Sequence, residues 1–113
     1  MPTRQIEKDK WTNFLDAFSA HNQTRNIMVD MEHKELGPQT VVNSKPLLAL
    51  EADMNEDEQS ITIIAGDPQG GEPESLTHRV MDPTAIWVKE DDQGRVETLD
   101  IESEEGRTLV KFV

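Results

Sequence analysis

A chain of 113 residues has room for one domain, and with 35% hydrophobic residues its core is thin. Its formal net charge of −12, from 11 basic and 23 acidic side chains, repels phosphate backbones and anionic lipid surfaces, which sets aside direct nucleic-acid or membrane binding. The absence of cysteine excludes disulfides, thiolate metal sites and cysteine nucleophiles.

The first element predicted along the chain is a helix over about residues 7–21. Trp11, Phe14, Leu15 and Phe18 fall at i, i+3, i+4 and i+7 and share one face. That face packs on a sheet, because strand-like segments follow it. Ile27, Val29 and Met31 alternate with Met28, Asp30 and Glu32, giving a strand over 27–32. Residues 33–46 contain Gly37-Pro38 and Lys45-Pro46 and read as a long loop or a frayed hairpin. A strand over 47–54 places Leu48, Leu50, Ala52 and Met54 on one face. The acidic turn Asn55-Glu56-Asp57-Glu58 leads to a strand over 60–65.

Residues 66–75 carry Pro68, Gly70-Gly71 and Pro73 and read as a flexible loop. The strand over 76–81 puts Leu76, His78 and Val80 on one face. Asp82-Pro83 bends or breaks it, and a strand over 85–89 sets Ile86 and Val88 opposite Trp87. Strands over 96–102 and 108–113 close the chain. The fold class is α+β, mostly β. One N-terminal amphipathic helix covers either a small curved antiparallel sheet or an SH3- or Sm-like barrel, with residues 96–113 as an added C-terminal hairpin.

Charge is unevenly placed. Residues 1–30 balance four basic groups (Arg4, Lys8, Lys10, Arg25) against four acids (Glu7, Asp9, Asp16, Asp30), so the whole excess lies in residues 31–113. An acidic face there fits a basic protein partner. The opening Met-Pro-Thr-Arg-Gln has no apolar signal-type core, and no apolar run reaches membrane-spanning length, so the expected location is cytoplasmic. Free sheet edges leave self-association open.

Motifs for chemistry are sparse. Asp53, Asn55 and Asp57 alternate as oxygen ligands do at the start of a calcium loop. Positions six and twelve of that loop are here Glu58 and Ile64 instead of Gly and a bidentate acid, so a solvated turn is the better account. His21, His33 and His78 lack metal-ligand spacing, and neither a metal nor another cofactor is expected. Glu51/Asp53 and Asp100/Glu102 are read as solvent-facing pairs. No serine has the sequence context of an activated nucleophile. His78, Arg79 and Trp87 are the best candidates for a ligand or partner surface, with Asp82 or Glu51 as the acid beside His78 in a pocket reading.

Several segments together resemble a family of short bacterial proteins of unknown function. They are Met1-Pro2-Thr3-Arg4, Trp11-x-x-Phe14-Leu15-Asp16-x-Phe18, Leu76-Thr77-His78, Asp82-Pro83 and Leu99-x-Ile101-Glu102-Ser103. The resemblance spans nearly the whole chain. It implies a free-standing bacterial cytosolic domain and carries no activity or catalytic residue. The expectation is therefore a non-enzymatic binding or accessory module with an acidic surface. The alternatives are a small-molecule or metal-binding domain with a pocket near His78, and an acidic mimic of nucleic acid.

Overall fold

In the computed structural model, which describes residues 3–66 and 76–112, a short strand precedes the helix. This strand, β1 (Thr3–Ile6), escapes sequence reading because four residues are too few to show a period. A single 3-10 turn, Lys8–Lys10, links it to the helix α1 (Trp11–Asn22). The α-helix thus starts at Trp11, four residues later than periodicity predicts. The buried indole Nε1 of Trp11 donates to the Ile6 carbonyl at 2.9 Å, tying the helix start to β1. Trp11, Leu15 and Phe18 are buried as the spacing predicts, and Phe14 lies half-buried at the rim.

The remaining strands are β2 (Asn26–His33), β3 (Gly37–Met54), β4 (Gln59–Ala65), β5 (Leu76–Met81), β6 (Pro83–Glu90), β7 (Val96–Ser103) and β8 (Gly106–Phe112). They form one antiparallel sheet in the order β1-β6-β7-β8-β2-β3-β4-β5. The sheet is curved and does not close, so the barrel alternative gives way to the curved sheet. The hairpin β7–β8 is also no appendage. It lies between β6 and β2, and Val110 opposite Leu99 forms part of the core.

Of the two readings of residues 33–46, a long loop or a hairpin, the hairpin holds. Gly37–Pro46 pairs with β2 as a hairpin, and the same strand then continues to pair with β4 from Leu47 onward. Two prolines signalled a loop here, but both sit where the long strand starts or turns. The turn falls near Ser44, whose φ of 53° is unusual for a residue other than glycine. A register shift between Leu47 and Ala49 then makes Leu47 the buried residue, with Leu48 half-buried. A second corner lies at Asp82, also in the left-handed region at φ 50°, where β5 passes into β6. Both corners fold the β3–β4–β5 layer over the rest, and the inward faces meet around Leu50, Ile61, Ile63, Ile86, Val88 and Leu99. Each fully buried Leu or Ile contributes roughly 1.5–3 kcal/mol.

The helix has a second task. Past the first corner, the edge of β3 that faces away from β4 has no strand partner among the described residues. Ser19 Oγ donates to the Leu50 carbonyl at 3.0 Å and accepts from the Leu50 N–H at 2.7 Å. Gln23 Nε2 donates to the Leu48 carbonyl at 3.3 Å, and the Thr24 N–H to the Leu47 carbonyl at 2.8 Å. The helix and the turn after it thereby close an edge that would otherwise invite another chain.

Candidate functional site

The three residues singled out from sequence do not form one surface. His78 pairs across from Ile63, on the inward face of β5. Its Nε2 is buried and has no hydrogen-bond partner among the described residues. Burial lowers its pKa, because the charged ring is poorly solvated there. Arg79 is the next residue and faces outward, opposite Thr62, which in turn pairs with Glu51. Glu51 is therefore on the other side of the sheet from His78. Asp82 is exposed at the corner.

Trp87 alternates with the buried Ile86 and Val88 and so lies on the outer face of β6. It borders a hollow of about 280 Å³ with Lys89, Thr98, Asp100, Leu109 and Lys111. Asp100 differs from the solvent-facing acid expected at this position. Its side chain is only 19% exposed, and its Oδ1 is buried without a partner among the described residues. Burial pushes its carboxyl above the usual carboxylate range, against the pull of the Arg107 guanidinium 3.5 Å away, and the neighbouring Glu102 and Glu32 add to the rise. Periodicity placed Asp100 correctly on the outer face. It could not show that cross-strand neighbours crowd that face.

A hollow of about 410 Å³ lies beside the C-terminal half of α1. Phe14, Ala17, Phe18 and Val96 supply its carbon surface, and His21, Asn22, Arg25 and Arg95 its polar groups. The aromatic rings run on beneath it: Phe14 to Phe18 and Phe18 to Phe112 each stand 5.7 Å apart between centroids, in tilted geometry. Arg25 lays its guanidinium 4.0 Å over the Phe112 ring and donates from Nη1 to Asn22 Oδ1 at 2.8 Å. Asn22 in turn donates to the Phe18 carbonyl at 2.9 Å, so the last helical turn fixes the arginine.

Arg95 is engaged differently. Its Nε lies 3.5 Å from Asp91 Oδ2, and its Nη2 donates to Gln93 Oε1 at 3.0 Å. Asp91 accepts the Gln93 and Arg95 backbone N–H groups at 2.8 and 2.9 Å, which hold its carboxyl below the usual range. Every ionisable residue lining this hollow is basic or histidine, in a chain where acids outnumber bases two to one. A larger hollow of about 610 Å³ has the opposite character. There Glu32, Glu102 and Glu104 are interleaved with His33, Lys34 and Arg107.

Sequence reading missed the helix-side hollow because it favoured packing of the Phe14 and Phe18 face on the sheet over an exposed groove. The available signal was electrostatic: residues 1–30 carry no acidic excess, whereas residues 31–113 carry all of it.

The model of a family of unknown function, DUF5335, matches residues 2–113. The chain belongs to this family. The resemblance read from the sequence is thus confirmed along nearly its whole length. An uncharacterised protein of Aquifex aeolicus (strain VF5) is 28% identical over 110 residues, covering 97% of this chain and 90% of the relative. No solved structure matches. Membership of the DUF5335 family brings no activity with it, so function has to be argued from the site. No helix among the described residues is long and apolar enough to cross a membrane.

Proposed function

We propose that this member of the DUF5335 family is a non-catalytic binding domain and that it binds through the hollow beside the end of α1. The observation that carries this reading is the pairing there of solvent-accessible aromatic carbon with oriented cationic groups. A hollow of about 410 Å³ falls in the usual size range for small-molecule sites. Its aromatic floor offers a ligand apolar contact, and Arg25, Arg95 and His21 fix orientation by hydrogen bonding. Guanidinium groups stay protonated and so hold anions; they do not shuttle protons, which favours binding over acid–base chemistry. A cytoplasmic setting and no direct nucleic-acid binding belong to this reading, and the strongly acidic remainder of the chain supports the second because it repels phosphate backbones.

Engagement of a basic partner by the acidic surface is the weaker reading. In the largest hollow described, the carboxylates are interspersed with Lys34 and Arg107. Arg107 also lies 3.3 Å from Glu102, so part of that charge is already answered within the chain.

The test is a chemical-shift map of the ¹⁵N-labelled protein against a fragment set containing neutral, cationic and anionic compounds. Shifts confined to Phe14–Arg25 and Arg95–Val96 support the reading. A set that moves no resonance in these segments, or moves resonances all over the sheet, refutes it.

A further inference from the structure

We infer that the occupant of the helix-side hollow is a small apolar carboxylic acid, its body on Phe14, Phe18 and Val96 and its carboxylate on Arg25. This rests on the binding reading above and adds the chemical class of the ligand.

The overall charge of the protein points the other way. A net charge of −12 attracts cations and repels anions at long range. That field is screened within about 8–10 Å at ordinary salt, so a bound ligand responds mainly to the groups it touches. Among the described residues those groups are Arg25, Arg95 and His21, with no carboxylate in the lining.

Arg25 is the better head-group site of the two arginines. Arg95 already has Asp91 beside its Nε. Arg25 has only neutral partners among the described residues, the Phe112 face and the Asn22 amide oxygen. Its stack on Phe112 and its bond to Asn22 hold the guanidinium in one orientation before a ligand arrives. Much of the ordering cost is therefore already met. One of its five N–H donors is used by Asn22, which leaves a fork that matches a carboxylate. Beside this fork the aromatic floor gives the ligand's hydrocarbon a surface that excludes water. The two features together select an acid with an apolar body over either part alone.

The experiment compares octanoate, 1-octanol and octylamine, which share one chain and differ in head-group charge, by ¹⁵N chemical-shift titration of the full chain. Octanoate is expected to bind the hollow about tenfold more tightly than octanol, the worth of one charge-assisted hydrogen-bonded contact. Octylamine is expected to bind more weakly than both, in spite of the overall field. Arg25→Gln should remove most of the tenfold preference, lowering octanoate binding by more than it lowers octanol binding. Arg25→Lys should recover only part of the preference, because it lacks the planar fork. Both changes are at an exposed position, and unaltered amide resonances across the β3–β4–β5 layer report that the fold is intact.

Equal binding of octanoate and octanol at the hollow overturns the acid assignment and leaves the binding reading standing. So does tighter binding of octylamine. Shifts from none of the three compounds overturn the binding reading itself. A short peptide ending in leucine forms a further arm. If it binds and octanoate does not, the site reads a chain terminus and the small-acid assignment fails.

Discussion

Replacing Ser19 with alanine tests how the helix is fastened to the sheet. Ser19 Oγ is the partner of both the N–H and the C=O of Leu50, at 2.7 and 3.0 Å, on the edge of β3 that lacks a strand neighbour. Leu50 is 1% exposed, so water does not readily replace the lost hydroxyl. A buried N–H left without a partner costs about 1–3 kcal/mol. Alanine returns about 0.5 kcal/mol through its higher helix propensity. The net expectation is a loss of about 1–2 kcal/mol. With a urea m-value of about 1–3 kcal/mol per molar, the unfolding midpoint should fall by roughly 1 M. The exchange rate of the Leu50 amide supplies a local readout and should rise in Ser19→Ala by more than amides of β7 and β8. A midpoint equal to or above that of the unaltered protein, with Leu50 exchange unchanged, would refute the idea that the helix closes this edge.

The remaining predictions concern the β region. Gly106→Ala should destabilise by at least about 2 kcal/mol or prevent folding, because the new Cβ would overlap the Glu32 backbone carbonyl across the β2–β8 pair; circular dichroism melting checks this. The Asp100 carboxyl has a folded pKa above its unfolded value. It therefore favours the folded state below the ordinary carboxylate range, and that contribution is lost as pH rises toward the raised value. Asp100→Asn should accordingly stabilise the protein at pH 7 and gain progressively less toward acid pH in urea titrations, whereas a loss at pH 7 would mean that the Arg107 pair outweighs burial. His78 has a folded pKa below 6.5, so stability is complete above that value and declines as pH falls from 6.5 toward the lowered value. His78→Gln should flatten the pH dependence of the unfolding midpoint in that window, and an unchanged slope would count against it.

Sequence made much of this fold legible wherever a period could build up. The Trp11–Phe18 face and the strands around Ile27, Ile61, Ile86, Leu99 and Val110 are long enough for alternation to tell inside from outside. It was silent on β1, which is short, and it left the first half of β3 between a long loop and a frayed hairpin, of which the hairpin forms. Gly37, Pro38 and Pro46 have the chemistry of a loop, but here they mark the ends and the corner of one long strand. Local residue preference cannot reveal that a strand changes partners midway, because the change depends on how two layers fold over each other. The site was harder still. Arg25 and Arg95 lie seventy residues apart, and only the sheet order brings the turn before β7 next to the end of α1. His78, Arg79 and Trp87 are close in sequence, yet strand alternation and the corner at Asp82 send them to different faces. Proximity along the chain was the misleading cue there, and the charge balance of residues 1–30 against the acidic excess of the rest was the useful one.

The most direct test of binding at the hollow is to fill it. Ala17 lines the hollow from an exposed helical position, so Ala17→Trp adds a large ring without removing a core contact. The measurement is the octanoate titration repeated on Ala17→Trp beside the unaltered protein, with the melting temperature of both recorded. Loss of the ligand-induced shifts at Phe14–Arg25 with nearly unchanged melting is the predicted result. Undiminished binding in the filled variant would place the ligand elsewhere on the molecule and contradict the account.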